Sequence, residues 1–280
     1  SIVGSNPTLS AITRKMNKLN IFCVTNIHHD YLSNLNLNLA GVGKRNFPGN
    51  YITCKKGKNI QKKEKNYSEL TFHYWFWKNY LKKFKSNEWI GFCQKRRFWL
   101  QKEIAKPPKN FNELHKVILK SIPNEWSNYD SVIQPPMILQ EKKMVMIKRG
   151  LRSLIKSPNI FFNKKKHSVK LHFDMHHGYG NLDKAIDVMD IKDREDFREY
   201  VNTKISFSAN NMFIAKKKIV DKWFNDVFTW LFDCEKILGF KDMKGYETRI
   251  YAYLAERYLS FWFKTYTNYK TWPWKFIELE

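Results

Sequence analysis

The chain reads as an α/β protein built on a mixed central sheet, and three observations point there. A β-type apolar run, Leu19 to Thr25, stands near the start, as the first buried strand of such domains commonly does. Further short runs, Glu88 to Phe92, Ser131 to Ile138 and Ala209 to Ala215, are separated by segments with helical spacing. Two long aromatic-rich stretches, Lys217 to Leu238 and Tyr246 to Lys264, predict a helical C-terminal part. With 280 residues and 43% hydrophobic content the chain holds enough apolar material for one sizeable core. Neither an internal repeat nor a linker divides it, so a single domain is expected.

Taken in order, Leu19 to Thr25 opens the sheet, and Asn26 to Asn50 is turn-rich, with Gly41, Gly43, Pro48 and Gly49. Lys55 to Lys65 is a charged loop. A helix follows, with Ser68 as N-cap and Leu70, Tyr74, Trp77, Leu81 and Phe84 on one face. The strand Glu88 to Phe92 runs into Gln94-Lys95-Arg96-Arg97. Phe111 to Lys120 predicts a helix, and Ser131 to Ile138 a strand ending in a Pro-Pro turn. Glu141 to Lys166 is basic and ambiguous. His167 to Tyr179 holds four of the eight histidines and is taken as extended. Leu182 to Met189 and Arg194 to Lys204 predict helices, and the tail from Tyr266 to Trp274 alternates aromatic and basic residues, which fits a surface resting on an anionic membrane or a tail packed on its own domain.

A formal net charge of +24 calls for an anionic partner: nucleic acid, a phospholipid surface or a phosphorylated substrate. An AT-rich genome, which favours Lys and Asn codons, accounts for the same excess. No window approaches the ~18 apolar residues of a membrane span. Cys23, Cys54, Cys93 and Cys234 lack metal-ligand spacing and are expected to be reduced thiols. Ser1 to Lys15 has no apolar centre of a signal peptide. Gly4-Ser5-Asn6-Pro7 back-translates to the T-arm of a transfer RNA gene. The expectation is therefore a non-native read-through leader over 1–15 and a functional domain over 16–280, in the cytoplasm or resting on the inner face of the membrane.

Several clusters carry chemistry, each beside a plainer alternative. Lys95, Arg96 and Arg97 end a strand, where ligands of open α/β sheets bind. They suit a leaving diphosphate, or form a solvated basic turn. In extended structure His172, Asp174 and His176 share one face, which suits a metal site or equally a base, with Asp174 beside a histidine as the candidate; a polar loop is the alternative. Asn210 and Asn211 suit sugar hydroxyls or a turn. Arg249, Ala252, Glu256 and Ser260 share a helix face, where Glu256 serves catalysis or a structural ion pair. No Asp-x-Asp pair occurs, so the sequence leaves room for a divalent metal without indicating one, and it calls for no cofactor.

Five stretches in order extend this reading: Ile21 to Thr25; Asn66-Tyr67-Ser68-Glu69-Leu70-Thr71 through Tyr74-Trp75 and Trp77-Lys78-Asn79; Ile90 to Cys93 with Arg96-Arg97; Asn211 to Ile214; and Leu254-Ala255-Glu256-Arg257. Together they resemble a family of bacterial surface-polysaccharide glycosyltransferases long catalogued as a domain of unknown function. The resemblance implies a GT-A-like, Rossmann-related fold. It implies transfer of a hexose, galactofuranose among the candidates, from a nucleotide sugar, with UDP-sugars foremost, to an O-antigen, capsule or lipid-linked glycan acceptor. The reading as a whole puts Thr25, Asn26, Asn59, Tyr67, Glu69, Lys78 and Asn211 at the donor, Arg96 and Arg97 on the diphosphate, and Asp174, His176 and Glu256 in catalysis. The family pattern has His-Tyr-Arg-Arg where this chain has Gln94-Lys95-Arg96-Arg97. The rival reading is a basic, aromatic-rich nucleic-acid-binding protein without catalysis.

Overall fold

A computed structural model of the protein describes residues 18–140, 142–240 and 243–278; the proposed leader lies outside them. The strands are β1 (Leu19–Thr25), β2 (Asn38–Gly41), β3 (Ile52–Thr53), β4 (Trp89–Gln94), β5 (Arg97–Trp99), β6 (Ser131–Ile133), β7 (Met137–Ile138), β8 (Ser206–Phe207), β9 (Phe213–Lys216), β10 (Tyr269–Thr271) and β11 (Trp274–Phe276). The helices are α1 (Glu64–Tyr67), α2 (Leu70–Trp75), α3 (Phe111–Val117), α4 (Lys143–Arg149), α5 (Leu151–Lys156), α6 (Val169–His177), α7 (Asn181–Asp187), α8 (Ile191–Thr203), α9 (Lys217–Leu238) and α10 (Ile250–Tyr266).

The main sheet runs β10-β6-β9-β4-β1-β2-β3, with β5 and β11 attached beside β4. β1 pairs in parallel with β2 and β4, and β9 lies antiparallel between β4 and β6. The sheet is therefore mixed, as the sequence predicts. Alternation along β1 divides the core into two layers. Phe22 and Val24 face one layer with Phe72, Phe76, Phe224 and Phe228. Ile21 and Cys23 face the other, with Trp89, Trp99 and Trp126. On α9, Val220, Trp223, Phe224, Val227, Phe228, Leu231 and Cys234 recur at helical spacing and are buried. All four cysteines are buried and free.

Five details differ from the sequence reading. Ser68 is no N-cap: its backbone lies at φ 52°, and its carbonyl accepts the Thr71 hydroxyl. The long helix it was to start opens into a π-helical turn at Phe76–Tyr80. There the Asn79 amide bonds both the Trp75 and Lys58 carbonyls, competing with the helical ladder. The run from Ser131 to Ile138 breaks at Pro135 and Pro136, which have no N–H for a ladder, and Met137–Ile138 pairs instead with β8 in a separate small sheet. The histidine-rich segment is a helix, α6, with Ser168 capping the Leu171 N–H. The aromatic-basic tail is not a free surface feature either. β10 pairs with β6, β11 with β5, and Trp272 is buried with its indole N–H on the Leu100 carbonyl.

Gly91 sits at the centre of β4, where a Cβ would stand 2.8 Å from Ile214 Cγ1 and 3.3 Å from Ile21 Cγ1. Both neighbours are branched at Cβ and locked in paired strands, so neither can swing away. Gly91→Val is expected to cost about 1–3 kcal/mol through overpacking. A urea midpoint lowered at unchanged slope would report it, and a wild-type midpoint would show that the layer yields.

Candidate functional site

The carboxyl ends of β1 and β4 and the start of β9 lie at one edge of the sheet, because β1 and β4 are parallel and β9 is antiparallel to them. There a buried carboxylate, Glu69, gathers four elements. Its Oε1 accepts from Asn211 Nδ2 at 2.8 Å and from Gln94 Nε2 at 3.2 Å. Its Oε2 accepts from Arg249 at 3.3 Å. The Asn211 amide also donates to the Ala252 carbonyl at 3.1 Å, tying α10 to the same point. Gln94 passes the network on: its Oε1 accepts from Arg97 at 2.7 Å.

The chain takes left-handed turns into two of these residues. Ser68 (φ 52°) precedes Glu69 and Asn210 (φ 68°) precedes Asn211, each a non-glycine in a conformation that costs free energy. Asn210 is held there by a bond from its amide to Gln134 Oε1 at 3.2 Å. Asn211, which the sequence reading placed on a strand, stands just before β9. The hairpin β4–β5 pairs Gln94 with Arg97, so Lys95 and Arg96 form its two-residue turn. Lys95 Nζ donates to Asn26 Oδ1 at 3.0 Å, which brings the end of β1 to the same turn. Thr25 is buried and its hydroxyl closes on the Ile27 carbonyl and N–H.

A second buried carboxylate, Glu256 on α10, accepts from Arg257 Nη1 at 3.0 Å. Burial pushes the Glu256 carboxyl up to about 7, with Arg257 pulling down and Glu69 adding to the rise. Glu69 moves the other way. Burial raises its carboxyl, but Arg249 and the Asn211 amide outweigh that and hold it below the usual glutamate value. Two carboxyl groups in one cluster are thus driven apart, one ionised and one poised to exchange a proton near neutrality. Arg257 is fully buried, and its Nη2 lies 3.0 Å from His172 Nδ1. Burial and then the Arg257 charge push His172 down to about 2, and His177 likewise, so both rings are neutral. Burial also lowers Arg97, against the pull of Glu256 and Glu69. Arg96 and Arg249 are exposed, which leaves their charges open to an anion.

The structure therefore gathers Thr25, Asn26, Glu69, Arg96, Arg97, Asn211 and Glu256 at one edge. It does not bring the remaining site residues there. Tyr67 is fully buried, stacked on Tyr251 at 4.9 Å, and is a core residue. Asn59 closes its own loop through Gly57 and Gln61. Lys78 lies 3.0 Å over the Trp77 ring and is influenced by Lys58 and Asp221 rather than by the Glu69 cluster. Asp174 and His176 were expected on one face of an extended segment; on a helix, positions two apart point to different sides. Asp174 pairs with Lys170 at 3.1 Å, which also holds Asp183 at 2.5 Å. His176 turns toward the His172 carbonyl at 2.8 Å. The sequence reading assigns Arg249 and Arg257 no role at the site and does not pair His172 with Arg257. The signals were the helical spacing that puts Arg249 and Glu256 on a shared face and the adjacency of Arg257 to Glu256; nothing local links His172 to Arg257, 85 positions away.

Comparison with known proteins follows the same lines. The fold matches the apo structure of the WbbM bifunctional glycosyltransferase with a TM-score of 0.69 at 16% identity. The match covers 94% of this chain and 46% of that one, so this chain spans less than half the length of WbbM. At that identity the likeness is one of fold, and it is the mixed α/β fold expected from sequence. No curated protein matches the chain. The model of the family described as a domain of unknown function, DUF4422, matches residues 23–268, and the chain belongs to that family.

Proposed function

We propose that the chain is a glycosyltransferase moving a hexose from a nucleotide-sugar donor, a UDP-sugar first, to a surface-polysaccharide or lipid-linked glycan acceptor; galactofuranose is one candidate hexose. One observation carries the reading. Two buried carboxyl groups of opposite protonation tendency stand among Arg97, Arg249 and Arg257 at the carboxyl edge of β1 and β4. The fold shared with a glycosyltransferase supports it.

The residues divide the work by charge. Lys95, Arg96 and Arg97 face the donor diphosphate, where fixed cations offset the charge that develops as the sugar–phosphate bond breaks. Glu69 takes no part in the bond changes; it orients Asn211, Gln94 and Arg249 around the sugar. Glu256 is the base. About 11% of its side chain reaches the surface, enough for an incoming hydroxyl. The acceptor hydroxyl gives its proton to the Glu256 carboxylate as its oxygen bonds the anomeric carbon. The bond from that carbon to the diphosphate oxygen breaks, and its electron pair leaves with the nucleoside diphosphate.

Two outcomes test this. UDP should raise the melting temperature of the wild-type chain, and Arg97→Ala should lower transfer from a UDP-sugar by about 10²–10³-fold while the far-ultraviolet circular dichroism is unchanged. Wild-type turnover in that variant would remove Arg97 from the diphosphate site.

The second outcome is a pH profile. A base with its carboxyl at about 7 makes kcat/KM climb tenfold per pH unit below that value and level off above it. Glu256→Gln should lose transfer. Asp174→Asn should keep the same inflection; a shifted inflection there would return the base to α6. Stability carries the same sign. The folded chain holds the Glu256 proton more tightly than the unfolded one, so this group's contribution falls as pH rises from the ordinary glutamate value through about 7. Glu256→Gln should flatten that part of the stability curve.

A further inference from the structure

We infer that α4, α5 and the lysine-rich segment after them form a docking surface for an anionic lipid bilayer. Twelve large apolar side chains are exposed among the described residues, and seven of them fall between Met137 and Phe162, under a tenth of the chain. Scattered singly they would mean nothing; gathered they mark an interaction surface. Along α4 and α5 the two sides differ. Met146 and Leu154 pack inward on Leu171 and Met175 of α6 in a small core of their own. Met144, Ile147, Leu151 and Ile155 point outward at helical spacing, Ile155 with 74% of its surface exposed, and Phe162 follows at 79%.

The charge around these side chains identifies what covers them. From Lys142 to Lys166 the chain has nine Lys and Arg residues and no Asp or Glu. All nine are exposed, Lys164, Lys165 and Lys166 standing in a row beyond Phe162. Aliphatic and aromatic tips ringed by cations on long stems fit an interface where apolar groups enter the acyl boundary and ammonium groups meet lipid phosphates. No helix among the described residues is long and apolar enough to cross a membrane, so the contact is one of docking. It also moves the lipid-facing role away from the C-terminal tail, which is consumed in β10 and β11.

The position suits the proposed reaction. α6 carries Leu171 and Met175 toward the docking helices and His172 toward Arg257, whose neighbour is the proposed base. A lipid-linked acceptor would thus be presented about one helix layer from the site. The inference deepens that acceptor reading, but its test needs neither donor nor acceptor, so either can fail alone.

The test is co-sedimentation of the full chain with phosphatidylcholine vesicles, with and without phosphatidylglycerol. Binding is expected only with phosphatidylglycerol, and it should weaken as salt rises from about 0.1 M to about 0.5 M. Ile147→Gln/Ile155→Gln/Phe162→Gln and, separately, Lys164→Gln/Lys165→Gln/Lys166→Gln should each reduce binding at least about tenfold with unchanged circular dichroism. Ile191→Gln/Phe276→Gln, which alters exposed apolar residues elsewhere, should bind as wild type. A wild-type chain that ignores anionic vesicles would overturn the inference. So would retained binding in either triple variant, or vesicle binding lost only in the Ile191/Phe276 variant.

Discussion

The Glu69 carboxylate is the point on which the rest of the site depends. A buried carboxylate without partners would cost several kcal/mol, and the fold offsets that by spending donors from three other elements on it. Asn211 comes from the entry to β9, Gln94 from the end of β4 and Arg249 from the start of α10. Two of the three donors are committed elsewhere as well: Asn211 to the Ala252 carbonyl, Gln94 to Arg97. Moving Glu69 would therefore release the strand edge, the hairpin turn and the helix together. The left-handed backbones at Ser68 and Asn210 fit this account, since strain of that kind persists only where surrounding bonds over-determine the conformation.

The same anchoring decides how charge is shared. Arg249 and the Asn211 amide keep Glu69 ionised, and the field of that fixed negative charge is one reason Glu256 holds its proton so long. Arg257 compensates Glu256 only in part, because it is itself fully buried and pays desolvation. The two histidines that face it are driven neutral, so they add no competing positive charge behind the base. The result is one fixed anion, one group that changes protonation near neutrality, and exposed cations at the rim on Arg96 and Arg249.

How much of this was legible in the sequence follows from the range of the forces involved. Strands such as β1 and β4 and the long helix α9 announce themselves through local periodicity, and the buried alternation of Ile21 to Val24 repeats it in space. The basic turn and the carboxylate Glu256 stood out for their chemistry, whereas Glu69 stood out only within a stretch that resembles the family. What failed were features set by neighbours distant in sequence. Ser68 looks like a helix cap until Glu69 has to turn inward, a demand made by residues 142 and 180 positions away. The histidines of α6 suggested an extended metal-like or base-like array. The Ser168 cap and the apolar spacing of Leu171 and Met175 make the segment helical, and that separates Asp174 from His176. Tyr67, expected at the donor along with the stretch that resembles the family, instead stacks its ring on Tyr251 in the core.

The departure at Gln94 can be understood in these terms. The resembled family pattern has a histidine at this place, and the bonding here shows what the position requires: a side chain that donates to a carboxylate on one side and accepts from a guanidinium on the other. A neutral imidazole meets that demand with its two nitrogens, and a carboxamide meets it with its nitrogen and oxygen. In this chain Nε2 serves Glu69 and Oε1 serves Arg97. The exchange keeps the relay and removes its titration. An imidazole between two charges could gain a proton and then repel Arg97, whereas the amide holds the arginine at any pH at which Glu69 stays ionised. Within the cluster this leaves the change of protonation near neutrality to Glu256, the one member with its carboxyl poised there.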